Sequence, residues 1–239
     1  MTLKLLVTLG CSMTFGDELD HPEIDAWPAV LGAQLGVETL NWGACAGSNR
    51  RTVRLAVTEV TRAGVNRRLA PDEVLVLCMW TRLNRFEVHS TARDRYGGLP
   101  PGWGDDRWCR IHPAYISRGD TRSLRWYKHL HDEDGDKATF LTDWTMFDAW
   151  LRSSGLHFGY LWAFEPHAGL FDGYDELRDR IERSCSLLGI DGSAVGGPSI
   201  YGYGSELGDL GSGGHPLERT HAQFVTEHVG PWVTREVLR

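Results

Sequence analysis

No stretch of the sequence approaches the eighteen or so consecutive apolar residues that a membrane-spanning helix needs, so no membrane partner is expected. Positive charge is in the minority. The 25 Lys and Arg face 32 Asp and Glu, for a formal net charge of −7. Nucleic acids are held chiefly by clustered Lys and Arg on phosphates, so nucleic acid is an unlikely fit for an acidic chain and is not expected as a partner. Cysteine is sparse: 5 residues, at positions 11, 45, 78, 109 and 185, an odd number at wide spacing. That argues against a disulfide framework and for reduced thiols in a cytoplasmic setting. The first nine residues lack the small-residue cleavage site of an export signal, so they read as a buried strand. A glycine-rich phosphate fingerprint is missing from the loop that follows, which disfavours a flavodoxin-like nucleotide binder.

What is present is the composition of a globular domain. Hydrophobic residues make up 41% and charged residues 24% of the 239, which excludes disorder and coiled coil as the main class. No internal boundary divides the chain. It reads as a single domain over 1–239 with an insertion at about 88–131. Ten tryptophans are many for this length and call for an explanation.

Continuous apolar runs mark strands buried on both faces: Leu3 to Leu9, Val74 to Met79, and His157 to Phe164, with a shorter strand from Val37 to Asn41. A last strand is expected to begin at Ile190. Helical spacing covers Trp27 to Leu35, ended by Gly36, and Asn49 to about Arg62, with Asn49 as N-cap and Val53, Val57 and Val60 inward. Further helices are expected at 121–131, 138–154, Tyr174 to Leu188 and Leu217 to Val229. The nine glycines between 192 and 214 suggest a flexible or tightly turned loop. Strands alternating with helices imply a three-layer α/β/α sandwich around a mostly parallel five-stranded sheet. Residues 88 to 122, irregular and rich in Gly, Pro and Trp, suggest an aromatic-rich lid.

Ligands of open parallel sheets bind beyond the carboxyl ends of the strands. Four segments leave those ends: Gly10-Cys11-Ser12, Asn41 to Asn49, Thr81 to Arg85, and Gly213-Gly214-His215-Pro216. Together with Trp27-Pro28 on the first helix, this ordered set resembles the GDSL or SGNH hydrolase family. The resemblance covers residue 3 to about 85 and about 206 to 233, and the middle is similar in outline to a phage and bacterial branch with an inserted helical region. It implies a serine hydrolase of an ester, thioester or related acyl bond, with Ser12 as nucleophile and His215 as general base. The chemistry fits, because a Ser hydroxyl needs an imidazole to take its proton as it attacks a carbonyl. The implied oxyanion donors are the backbone N–H groups of Ser12 and Gly47 and a side chain after the third strand, Thr81 by spacing or Asn84. No cofactor and no metal are implied. The substrate would be a small-molecule acyl compound or a carbohydrate ester.

Three departures from the family pattern stand out. Cys11 replaces its usual Asp, Thr81 stands where its Asn is expected, and Ser212 stands where an Asp normally precedes the His by three residues. The imidazole would then be held by Asp209 reaching around the glycine turn or by a backbone carbonyl, with a Ser–His dyad as the default. An acyltransferase on the same site is one alternative; a binding module that has lost its chemistry is another, and the missing Asp favours the latter. Arg82 and Arg85 are candidates to attract an anionic substrate, and Trp103 and Trp108 to stack on one. Trp126 and Tyr127 serve equally as insertion core. The basic stretch Arg50, Arg51, Arg54, Arg62, Arg67 and Arg68 reads by default as a solvated helix face. Asp132, Asp134 and Asp136 begin like a calcium loop but lack its Gly and its final Glu, so they read as a solvated loop.

Overall fold

A computed structural model describes residues 2–89, 108–166, 169–177 and 198–238. Strand β1 (Leu5–Gly10) lies between β2 (Glu38–Gly43) and β3 (Val74–Trp80), and a further parallel strand, His157–Trp162, flanks β3. The pairings are parallel throughout, with Val7 opposite both Leu40 and Val76, and Leu77 opposite Gly159. The described sheet therefore has four strands where five were expected. The fifth was placed at Ile190, outside the described residues. The insertion contributes a separate antiparallel hairpin, β4 (Phe86–His89) and β5 (Trp108–Ile111), which makes His157–Trp162 strand β6.

Alternation along the strands builds two cores. Leu6, Leu75, Leu77 and Met79 face one way, onto α1 (Ser12–Phe15), α2 (Trp27–Leu35) and the C-terminal helices. Val7, Leu9, Val76, Cys78 and Trp80 face the other way. They meet α3 (Asn49–Leu55) and its continuation α4 (Thr61–Asn66), and, beyond α5 (Thr121–His129), the long α6 (Glu133–Ser154). The tryptophans belong largely here. Trp80 ends β3 among Phe140, Trp144, Phe147 and Tyr160, with ring centroids 5.3 to 5.9 Å away. Emptying one such buried aromatic site costs about 3–5 kcal/mol.

Three local expectations need correction. A π-helical turn, Ala56–Val60, joins α3 to α4, and the extra residue in that turn swings Val57 outward, so it is exposed. The glycine-rich stretch is not all loop: α7 (Ile200–Leu207) forms there, capped by Ser199, whose side chain accepts from the Gly202 N–H. The aspartates at 132–136 open α6 instead of forming a solvated loop. Asp132 is its N-cap, accepting from Gly135 N–H at 2.7 Å. At the C-terminus α8 (Glu218–Phe224) runs through a second π-turn, Val225–Val229, into α9 (Gly230–Glu236). Buried His221 on α8 accepts at Nδ1 from the Trp27 N–H, 3.0 Å away, and so ties the last helical segment to the first long one. Among the described residues no helix is long and apolar enough to cross a membrane.

Candidate active site

Strand β1 ends at Gly10, and the chain turns at once into the single helical turn α1, which carries buried Ser12. Asn41 on β2 holds that turn, donating through Nδ2 to the Thr14 carbonyl at 2.8 Å. Gly16 closes it with φ 88°, a left-handed conformation suited to glycine. Asp17 and Glu18 follow, and Glu18 itself has φ 71°.

Over two hundred residues later the segment 209–217 folds into a tight turn closed by Gly211 N–H on the His215 carbonyl, 2.8 Å. This brings His215 Nε2 to 3.0 Å from Ser12 Oγ. On the other side of the ring, His215 Nδ1 lies 2.9 Å from Glu18 Oε2. Glu18 also accepts from the backbone N–H of His215 (2.9 Å) and of Gly213 (2.6 Å), and from Ser212 Oγ (3.2 Å). The Gly213 N–H, and then the His215 N–H and ring and the Ser212 hydroxyl, hold its carboxyl down at about 2 against the opposing effect of burial. A Cβ at Gly211 or Gly213 would lie 2.9 Å from this carboxylate, so the glycines leave the room it occupies.

Asp209 does not reach the imidazole. Its carboxylate accepts from Thr220 N–H at 2.7 Å and Thr220 Oγ1 at 2.8 Å, which fastens the start of α8. The acid beside His215 is therefore Glu18, from the nucleophile's own turn, and Ser212 donates to it from the place where an Asp was expected. Asp17 lies 3.7 Å from His215 Nε2. Cys45 sits near Asp17, and burial first, then the Asp17 charge and hydrogen bond, push its thiol up to about 12. Burial alone pushes the Cys78 thiol up as well. Neither is poised as a thiolate.

The expected oxyanion donors divide. Gly47 packs against the Ser12 turn, where a Cβ would lie 2.7 Å from the Gly10 carbonyl, but its N–H donates to the Ala44 carbonyl at 2.9 Å. Thr81 is buried, and its hydroxyl has no hydrogen-bond partner. Its backbone is clamped on both sides by Asn49, which accepts from Thr81 N–H (2.8 Å) and donates to the Thr81 carbonyl (3.0 Å). Asn49 is thus a clamp between two site loops; the N-cap is Ser48, whose hydroxyl accepts from Arg51 N–H. Asn84 lies farther along, where its carbonyl accepts from the Tyr127 hydroxyl.

A cavity of about 340 Å³ opens beyond β3 and β6, with Thr81, Arg82, Asn84 and Phe164 in its wall. Trp108 does not line it. That ring lies in a separate groove, under the Arg54 guanidinium at 4.3 Å, and Trp103 lies outside the described residues. Trp126 packs on Phe86 with centroids 4.8 Å apart, which assigns it to the insertion's own core. The basic stretch is not uniformly solvated either. Arg54 makes a two-pronged ion pair with buried Glu87, at 2.6 and 2.8 Å, and Arg51 is buried, donating to the Trp42 carbonyl at 2.8 Å. The β4–β5 hairpin covers both, and its Arg110 donates to the Cys45 carbonyl.

Signals for the missed residues were thin. Glu18 announces itself only as an acid just past the nucleophile turn, opposite a segment with glycines at 211, 213 and 214. Asn49 was visible as a polar residue in the right loop, but its partner is 32 positions away.

No curated protein matches the chain by sequence. Among solved structures, the chain is similar in fold to TesA, at 12% identity and TM-score 0.54, covering 97% of this chain and 99% of that one. It also matches a putative lipolytic protein of the G-D-S-L family from Desulfitobacterium hafniense, at 15% identity and TM-score 0.49 over 97% and 98% of the two chains. A third match is the acetylxylan esterase Axe2 from Geobacillus stearothermophilus, as a catalytic mutant, at 14% identity and TM-score 0.46 over 95% of each chain. Central parallel sheet, flanking helices and near-complete coverage give the chain the SGNH-hydrolase fold. A family model described as a family of unknown function matches residues 16–239, and the chain belongs to that family, DUF6071.

Proposed function

We propose that the protein is a serine hydrolase of esters or related acyl bonds, working through an acyl-enzyme on Ser12. The observation that carries this reading is the unbroken chain of contacts from Ser12 Oγ through the His215 ring to the Glu18 carboxylate. With Glu18 accepting at Nδ1, that nitrogen holds the hydrogen, and Nε2 turns its lone pair toward Ser12 Oγ. As Oγ attacks a substrate carbonyl, Nε2 takes the hydroxyl proton; it then returns the proton to the leaving oxygen. Glu18 fixes the tautomer and stabilises the imidazolium that forms, and Asp17 lies close enough to add to that stabilisation. Charge developing on the carbonyl oxygen would be met by the Ser12 N–H and the unpartnered Thr81 hydroxyl. A third acid supplied from elsewhere in the chain removes the main reason to read the fold as a binding module.

The test is turnover of p-nitrophenyl and thioester acyl donors. Ser12→Ala and His215→Ala should each lower kcat/KM by about 10³-fold or more, and the double variant should be no slower than either single one, because members of one catalytic unit are not additive. Wild-type rates in Ser12→Ala would exclude this assignment.

A further inference from the structure

We propose that the cavity beyond β3 and β6 binds an anionic group on the substrate, a carboxylate or a phosphate, between the guanidinium groups of Arg85 and Arg82. The proposal deepens the hydrolase reading and rests on it for the position of the ester itself. Arg85 is only 9% exposed, yet its Nε and Nη1 are fully buried and have no hydrogen-bond partner. The two other buried arginines are each put to use, Arg51 on the Trp42 carbonyl and Arg110 on the Cys45 carbonyl. A desolvated guanidinium without an acceptor is costly, and native structures rarely leave one so unless a ligand supplies the partner.

The surroundings point to an anion. The Phe164 ring lies 5.3 Å from the Arg85 guanidinium carbon and 4.6 Å from that of Arg82, so both charges gather around one aromatic wall of the cavity. A ring face offsets part of the desolvation but accepts no N–H bond. The cavity's carboxylates do not answer the need. Asp136 pairs with His131 at 2.9 Å, Glu165 accepts from Ser199 at 2.7 Å, and Glu133 is also engaged. His112 adds no negative charge. Burial, then the charges of Arg85, Arg118 and Arg110, push its imidazole down to about 4, which is what a locally positive field produces. The planar fork of a guanidinium matches two oxygens of a carboxylate or phosphate. Thr81 lines the same cavity. An ester carbonyl on the Thr81 hydroxyl therefore leaves the rest of the substrate directed toward Phe164 and the two arginines.

Binding and turnover test this separately. Glutarate, methyl phosphate and the neutral glutaramide are titrated into the Ser12→Ala protein by calorimetry, with and without Arg85→Met or Arg82→Gln. One of the two anions should bind at least about tenfold more tightly than glutaramide, and which one it is identifies the carboxylate or the phosphate source. Arg85→Met should lose about 10- to 100-fold of that affinity, and Arg82→Gln, at an exposed position that the fold does not need, a smaller part. In wild type, kcat/KM for mono-p-nitrophenyl glutarate over p-nitrophenyl butyrate should exceed one, and the ratio should fall in both variants. Glutaramide binding as well as either anion overturns the proposal. So does anion preference that survives both substitutions; if Arg85→Met does not fold, an unchanged preference in Arg82→Gln is enough. Anion binding that depends on these arginines, in a protein that turns over no ester, would support the cavity assignment and count against the hydrolase reading alone.

Discussion

The two ends of the site are built on opposite plans. Past β1, Ser12, His215 and Glu18 are joined by direct contacts, and the carboxylate at the far end collects four hydrogen bonds from the 212–215 turn. Past β3 and β6, the Thr81 hydroxyl and two nitrogens of Arg85 are buried with no partner at all. A closed network holds a reacting group in one geometry before substrate arrives, so little reorganisation is left for the transition state. Open polar groups in a buried wall store unmet bonding capacity, which only a ligand satisfies. The contrast separates the part of the molecule that carries out chemistry from the part that selects what reacts.

Breaking the closed end should have the largest effect. Glu18→Ala should lower kcat by about 10³- to 10⁴-fold with little change in KM, because the imidazole loses its tautomer and its orientation. Asp209→Asn is the control. It should keep wild-type kcat and cost about 1 kcal/mol of stability from the weakened hold on α8. Loss of kcat in Asp209→Asn with full activity in Glu18→Ala, measured by steady-state kinetics, would reverse the two assignments.

Removing one group from the open end should cost less. Thr81→Val keeps the shape and deletes the hydroxyl, and kcat should fall by about 10²-fold, the usual effect of one oxyanion donor. Asn84→Ala should leave kcat within a few-fold, since the Asn84 contact found here is made by its backbone carbonyl. The reverse pattern would move the donor from Thr81 to Asn84.

The smallest effect sharpens the electrostatics of the closed end. Glu18 titrates at about 2 in the folded protein against an ordinary value of 4.5. A depressed carboxylate contributes stability that is fully present above about pH 4.5 and is lost as the pH falls toward 2. The melting-temperature gap between wild type and Glu18→Gln should therefore be constant above pH 4.5 and close between 4.5 and 2. A gap that does not change across that range would show that the charge of Glu18 does not hold the turn.

Much of the scaffold was legible locally. The runs at β1 and β3 and the spacing of Trp27 to Leu35 name their elements directly, and Ser12 and His215 lie where strand ends put them. What escaped depends on distant partners. Glu18 acts on a residue 197 positions away, and no local pattern marks that pairing. The glycines at 211 and 213 read as flexibility, whereas they make space for a carboxylate. Arg51 and Arg54 look like a solvated face because the hairpin that covers them is formed by Phe86–His89 and Trp108–Ile111, too far apart for periodicity to join. The same separation hides Asn49 from Thr81.

The most direct test of the central claim is labelling by a fluorophosphonate probe, with the modified peptide identified by mass spectrometry and its rate followed in wild type and Glu18→Gln. The Ser12–His215–Glu18 unit predicts a single adduct on Ser12 that forms at least about 10²-fold more slowly in Glu18→Gln. An adduct on any other residue, or equal labelling rates in the two proteins, would contradict it.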